Sequence, residues 1–273
     1  MNRIEKKFLD LKNTNHTPLI AYVVGGYPDM DTSEKIIISL VESGVDIIEI
    51  GIPFSDPIAD GPTIQEAIYQ SLSNNTSADM CLKLAYRIRI RYPSLPLIIM
   101  TYSNIIYHDG FQKFMKKASK NGIDGFIIPD VPIEESQEYL QNATKFNLST
   151  IFLVSPNTTV NRLNRIVKKA SGFLYVVSVY GTTGERKIFD SYTMKNIKNV
   201  KDYTKNQIPI AVGFGISKPE HVETMIKAGA DSVIIGSAIV KIIQKYYNTN
   251  NMLKEIKNYI KKMKQKCKLQ SHD

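Results

Sequence analysis

Short apolar runs rich in Ile and Val recur along the chain, and a pattern of helical period follows each one. The runs are Leu19–Val24, Asp46–Gly51, Leu97–Tyr102, Gly125–Asp130, Thr150–Val154, Phe173–Ser178, Pro209–Gly213 and Ser232–Gly236. Runs that are apolar at nearly every position, rather than at alternate ones, fit strands of a parallel sheet buried on both faces. Between them the apolar positions return every three to four residues. Ile36, Ile37, Leu40 and Val41 share one face of a helix over Ser33–Ser43, and Val222, Met225 and Ile226 do so over Pro219–Ala228. Pro219 suits the first turn of its helix. Three helix ends repeat one turn: Ser43-Gly44-Val45-Asp46, Asn121-Gly122-Ile123-Asp124 and Ala228-Gly229-Ala230-Asp231, each with a glycine where a helix stops.

Eight strand–helix alternations point to an α/β fold, a closed (β/α)8 TIM barrel occupying residues 1–273 as one domain. A doubly wound open sheet is the runner-up. An additional helix is expected within the first ten residues. Others are expected after the second run, near Thr63–Ser71 and Ala78–Arg91, and after the eighth.

The second run holds a carboxylate, Glu49, inside apolar surroundings, and the Pro-, Gly- and Asp-rich loop beyond it ends in Asp60-Gly61. A carboxylate in a buried strand is costly unless it is hydrogen-bonded, paired or used. Two acids at one strand end can be driven to different pKa values and so divide acid and base roles. The alternative is structural, with either acid capping a helix or binding a backbone amide. In barrels of this kind the active site lies at the C-terminal ends of the strands. That rule brings Tyr22, Glu49, Asp60, Tyr102-Ser103-Asn104, Asp130 and Tyr175 to one end. Glycine-rich junctions follow the last three strands: Gly181-Thr182-Thr183-Gly184, Gly213-Phe214-Gly215-Ile216-Ser217 and Gly236-Ser237-Ala238. Glycines allow close backbone approach, and amides at a helix start bind anions. Together they predict a phosphate-bearing ligand. Gly181–Glu185 reads as a candidate lid or as an ordinary surface loop.

Composition narrows the picture further. A chain of 273 residues with 43% hydrophobic content can build a large core. No apolar run approaches the roughly 20 residues of a membrane span, and Met1–Phe8 has no signal-like apolar segment. Cys81 and Cys267 are too few for a disulfide framework, and His16, His108, His221 and His272 lack metal-ligand spacing. No metal and no nucleic-acid or membrane partner is expected, and a reducing cytoplasm fits. The net charge of +9 is concentrated at Lys254, Lys257, Lys261, Lys262, Lys264, Lys266 and Lys268, which read as a solvated helix face and a frayed terminus.

Read in order, Ile48–Gly61, Pro62-Thr63-Ile64-Gln65, Met100–Asn104, Asp130-Val131-Pro132, Ser155-Pro156-Asn157-Thr158 and Gly213–Ser217 resemble the tryptophan synthase alpha chain family. The resemblance spans nearly the whole chain. It implies a (β/α)8 barrel and a lyase that cleaves indole-3-glycerol phosphate to indole and glyceraldehyde 3-phosphate, with no cofactor in this chain. It implies that Glu49 is the general acid/base and that Asp60 holds the indole N–H and steadies positive charge on the ring. It places Tyr102, Tyr175 and Thr183 at the substrate, and Tyr22, Met100, Ile127, Leu153, Phe214 and Ile234 in the apolar pocket around the indole. Gly184, Gly215, Gly236 and Ser237 match phosphate-binding positions. The resemblance also implies a beta chain carrying pyridoxal phosphate, which makes L-tryptophan from the indole and L-serine in an alpha2-beta2 tetramer. Pro53, Asp56, Pro57 and Asn104 would form the docking face. Two departures stand out: Tyr22 replaces the Phe of the best-known members, and Val179-Tyr180 replaces a basic-plus-small pair.

Rival readings are a free-standing indole-releasing lyase and a non-catalytic phosphate-binding barrel. A metal-dependent epimerase would be expected to carry strand-end histidines, and an imine-forming aldolase a strand lysine. The eight runs contain neither.

Overall fold

The structure is a computed structural model that describes residues 1–177, 191–213 and 215–268. Eight parallel strands close into a barrel in sequence order: β1 (Leu19–Val24), β2 (Ile47–Gly51), β3 (Leu97–Met100), β4 (Gly125–Ile127), β5 (Ser149–Val154), β6 (Leu174–Val177), β7 (Ile210–Gly213) and β8 (Ser232–Ile235). The helices are α1 (Arg3–Lys12), α2 (Met30–Glu42), α3 (Pro62–Ser73), α4 (Ala78–Arg91), α5 (Ser103–Asp109), α6 (Phe111–Lys120), α7 (Gln137–Lys145), α8 (Val160–Val167), α9 (Ser191–Thr204), α10 (Pro219–Lys227), α11 (Ser237–Tyr246) and α12 (Met252–Gln265). The closed barrel excludes the open-sheet alternative. Several strands are shorter than the apolar runs predict, because their last residues turn into the loops that build the site.

The register fixes which side chains point inward. Tyr22 pairs with Glu49, Glu49 with Ile98, Met100 with Ile127, Ile127 with Ile151, Leu153 with Tyr175, Tyr175 with Ala211, Ala211 with Ser232 and Ile234 with Ile20. Paired residues share a face, as do residues two apart on one strand. One face therefore carries Tyr22, Glu49, Met100, Ile127, Leu153, Tyr175 and Ile234. The circuit back to Glu49 needs two-residue steps on β3, β5, β8 and β1, which together make the eight-residue stagger of a (β/α)8 barrel.

The two ends of the barrel differ. At the N-terminal end α1 closes the opening. Asn2 and Glu5 form a capping box, and the buried Ile4 reaches the space left by Gly125 and Gly172. Aromatic pairs fill the layer between sheet and helices, among them Phe114 with Phe126 and Tyr139 with Phe152.

The repeated turn proves to be a staple. Gly44, Gly122 and Gly229 have φ of +105°, +83° and +106°, the left-handed region that glycine enters freely. The following aspartate then grips the start of the preceding strand from both sides. Asp46 donates its amide to the Leu19 carbonyl and accepts from the Leu19 amide at 2.8 Å. Asp124 does the same with Leu97 (2.8 Å), and Asp231 with Ile210 (2.9 Å). Ser171 plays this part for Thr150. Thus β1/β2, β3/β4, β5/β6 and β7/β8 are each clipped at their base. Each aspartate also meets cations: Lys264 for Asp46, Arg89 and Arg3 for Asp124, and Lys201 for Asp231. The C-terminal lysines are therefore only partly a solvated face. Lys264 reaches Asp46, Lys257 reaches Glu42 and Lys266 reaches Glu223, and these contacts tie the end of the chain to α2, the β1/β2 clip and α10.

The four clips are not equivalent in energy. The Asp124 side chain is 4% exposed and Arg89 11%, whereas Asp231 and Lys201 are 30% and 21% exposed. Breaking a buried pair strands the partner charge, whereas solvent screens the loss of an exposed one. Asp124→Ala is expected to destabilise by about 3 kcal/mol and Asp231→Ala by about 1 kcal/mol, read from urea midpoints. Equal effects would show that the buried pair has no special weight.

Candidate active site

The C-terminal mouth of the barrel holds a small cavity of about 40 Å³ that opens to solvent. Its lining comprises Tyr22, Glu49, Asp60, Ile64, Met100, Tyr175, Gly215, Ile216, Ile234, Gly236 and Ser237. Glu49 enters from β2 and is fully buried, and among the described residues neither of its carboxyl oxygens has a hydrogen-bond partner. Burial, with the nearby Asp60 charge adding to it, pushes its pKa up to about 8.

Asp60 is held differently. It ends the loop before α3, where Gly61 and Pro62 open the helix. Its backbone carbonyl accepts from the Gln65 side chain at 2.8 Å, and its Oδ2 accepts from the Tyr102 hydroxyl at 2.8 Å. The Tyr102 oxygen in turn accepts from the Ala59 amide at 3.0 Å, and its ring packs on Phe54. Burial raises the Asp60 pKa to about 6, with the Tyr102 hydrogen bond opposing the rise. Near neutral pH Glu49 is thus mainly the acid form and Asp60 mainly the anion, the separation that two-carboxyl chemistry needs.

Glycines shape the walls. A Cβ on Gly51 would lie 2.3 Å from the Tyr22 hydroxyl, and one on Gly213 would lie 2.3 Å from the Tyr175 hydroxyl. The two rings fill space that side chains at those positions would occupy. Two strands from Glu49, beyond β8, α11 begins at Gly236 with no side-chain cap. The amides of its first turn have no carbonyl earlier in the helix to bind and offer an anion site beside Gly215 and Ser237.

The cavity brings together Tyr22, Glu49, Met100, Asp60, Tyr175, Gly215, Ile234, Gly236 and Ser237 from the sequence reading, with Tyr102 bonded to Asp60. Ile127 and Leu153 share the inward face but do not border the cavity; Leu153 lines a neighbouring hollow above β4 and β5. Thr183, Gly184, Phe214 and the Gly181–Glu185 segment lie outside the described residues. Asp56 and Asn104 are exposed, whereas Pro53 and Pro57 are buried in the chain itself and shape the loop rather than its surface. Two lining residues were not singled out. Ile64 lies one turn into α3 beyond Asp60, and Ile216 follows Gly215; their place in the same motifs was the available signal. Asp130 lies at the C-terminal end of the strands as expected, where it caps α5, accepting from the Ser103 amide (3.0 and 3.1 Å) and hydroxyl (2.7 Å). Among the described residues no group of three or more His, Cys, Asp or Glu could hold a metal ion.

A buried acid with a raised pKa destabilises the fold as pH rises. Below about 4.5 the carboxyl is protonated in both folded and unfolded chains. Between about 4.5 and 8 only the unfolded chain ionises, so stability falls across that window and the loss is complete above it. Glu49→Gln removes this penalty. The variant should match the wild type near pH 4 and exceed it by about 4–5 kcal/mol at pH 8.5, measured by urea unfolding at both values. A pH-independent difference would mean that Glu49 is not held neutral.

The comparisons with known proteins agree with this geometry. The family model described as "Tryptophan synthase alpha chain" matches residues 8–268. The chain is 42% identical to the tryptophan synthase alpha chain of Thermoanaerobacter sp. (strain X514), over 97% of this chain and 99% of that one. It is 43% identical to that of Methanocaldococcus jannaschii, over 93% and 89%. Among solved structures, tryptophan synthase subunit alpha from Legionella pneumophila str. Paris superposes with a TM-score of 0.87 at 33% identity, covering 98% of both chains. A chain of Mycobacterium tuberculosis tryptophan synthase gives 0.88 at 31% identity, covering 98% and 99%. The chain belongs to the tryptophan synthase alpha chain family.

Proposed function

We propose that this cavity cleaves indole-3-glycerol phosphate by a retro-aldol reaction, releasing indole and glyceraldehyde 3-phosphate, with Glu49 and Asp60 as the acting groups. One observation carries the assignment: the Glu49 carboxyl is fully buried at the mouth, without a partner among the described residues, and faces a cavity it shares with a second acid. A group kept protonated near neutral pH can act as a general acid.

The sequence of proton transfers closes on itself. Glu49 gives its proton to the ring carbon that bears the glycerol chain. The positive charge so formed lies on the indole nitrogen, whose N–H points to the Asp60 carboxylate. Glu49, now ionised, takes the proton of the neighbouring chain hydroxyl. The carbon–carbon bond breaks, its electrons return to the ring, and the oxygen becomes the aldehyde carbonyl. Met100, Ile234, Tyr22 and Tyr175 supply an apolar, water-poor surround that strengthens both charge interactions. The amides at Gly215, Gly236 and Ser237 hold the phosphate, and that remote binding energy positions the reacting bond. Gly184 and Thr183 would complete the phosphate end and the lid side of the site.

As an alpha chain, the protein works with a beta chain, and we assign the surface bearing Asp56 and Asn104 to that contact. The assembly we infer is an alpha2-beta2 tetramer in the cytoplasm. In it pyridoxal phosphate resides in the beta chain, which converts the indole and L-serine to L-tryptophan. Among the described residues no helix is long and apolar enough to cross a membrane.

Indole release from indole-3-glycerol phosphate, with and without a beta chain, tests the reading. Glu49→Gln should lose about 10²–10⁴-fold in kcat while still binding glycerol phosphate. The wild-type kcat/KM should follow a bell, rising through about pH 6 as Asp60 ionises and falling through about pH 8 as Glu49 loses its proton. Retention of activity in Glu49→Gln within a few-fold would remove that residue from the chemistry.

A further inference from the structure

Besides the two acids, the cavity holds a polar group that the reaction as written leaves idle. Tyr22 lies on β1 directly beside Glu49 on β2, on the same inward face. The root of its ring packs against Gly236, where a Cβ would lie 3.1–3.5 Å from its Cδ1, Cβ and Cγ atoms. The far end reaches over β2, with the hydroxyl in the space left by Gly51, one inward-facing position above Glu49. The side chain thus spans the mouth from the anion end to the acid end. The residue is 7% exposed and lines the cavity. Among the described residues both oxygens of Glu49 are buried without a hydrogen-bond partner, and the Tyr22 ring borders the same cavity. A carboxyl group buried without a partner is costly, so a hydroxyl-bearing ring on the neighbouring strand and the same face points to use.

We propose that Tyr22 is a positioning residue for the acid pair, its hydroxyl donating to whichever carboxyl group is ionised: Asp60 at the start of the reaction, Glu49 once it has given up its proton. The inference rests on the retro-aldol reading of the site. A phenol suits the task because its oxygen both donates and accepts, and so serves an acid in either protonation state. Among the described residues, the remaining titratable groups facing this point are Tyr102 at the end of β3 and Tyr175 on β6. Among the described residues the cavity lining contains no Lys, Arg or His. Burial and the charges of Asp60 and Glu49 hold the Tyr22 hydroxyl well above its ordinary pKa, so it remains a donor across the working range. The ring is rigid and wedged between Gly51 and Gly236, so it presents the hydroxyl without the ordering cost of a longer side chain.

A donor to a carboxylate lowers that group's pKa, and its removal raises it. Tyr22→Phe keeps the ring and its packing. The test compares the wild type and this variant, each in complex with the beta chain, by the pH dependence of indole release. Both limbs of the kcat/KM bell should move up, each by about half to one pH unit, with kcat near pH 7 down several-fold and KM within about two-fold. Incorporation of 3,5-difluorotyrosine at position 22, a stronger donor of nearly the same shape, should move both limbs down. Carbon-13 carboxyl titration of the Glu49 and Asp60 signals gives the same comparison without turnover. Superimposable bells and unchanged carboxyl titrations in a wild type that does release indole would overturn the role of Tyr22 and leave the retro-aldol reading intact. A wild type that releases no indole would overturn both.

Discussion

Keeping a carboxyl group out of water at the mouth of the barrel is the constraint on which the site depends. Among the described residues Glu49 has no hydrogen-bond partner, and none that lines the cavity is a cation. Its neighbours on β1, β3 and β8 are apolar or aromatic, and the nearest source of charge is a second acid. That combination raises the Glu49 pKa, and the raised pKa makes the group a proton donor near neutrality. Asp60 lies only a short loop away. It owes its lower pKa to the Tyr102 hydroxyl, which the end of β3 brings to the loop after β2. The division of labour between two chemically similar groups thus comes from one hydrogen bond and a difference in burial.

Such a site costs stability, and the opposite end of the barrel supplies it. The clips by Asp46, Asp124, Ser171 and Asp231 satisfy backbone groups at the strand starts, and the cations of α1, α4, α9 and α12 hold three of them from outside. With Ile4 closing that end, the N-terminal half of the barrel is an ordinary satisfied core. The C-terminal half carries the unpartnered Glu49 oxygens and the open cavity, as expected where the functional face of such a barrel lies. The same division explains the glycines: at the helix ends they permit a backbone conformation, whereas at Gly51 and Gly213 they yield volume to Tyr22 and Tyr175.

The fold was legible in the sequence because each element carries its own signal. The eight apolar runs, the helical period between them and the glycine-aspartate turn depend on neighbours a few residues apart, and all recur in the structure. Residues brought together by strand order were legible too. Once the barrel is assumed, strand ends converge, so Glu49, Asp60, Tyr22 and Tyr175 had to face one another. The resemblance to the alpha chain family assigned their roles more sharply than spacing alone.

Relations between elements distant in sequence were not legible. Helix α5 was missed because it is short, β-branched at Ile105 and Ile106, and capped by Asp130 from another strand end rather than by a neighbour. The same distance effect turned Asp130 from a candidate for chemistry into a cap, and Pro53 and Pro57 from surface residues into buried ones. Tyr102 could be placed near the substrate, but its bond to Asp60 depends on how far one loop leans across another. Sequence by itself determined the barrel, its two acids and its glycine-rich strand ends, since periodicity, composition and local turn chemistry encode them. Only the tertiary structure decided which acid stays protonated, because desolvation and hydrogen bonding at Glu49 and Asp60 are set by side chains from β1, β3, β6 and α3 that meet only when the barrel closes.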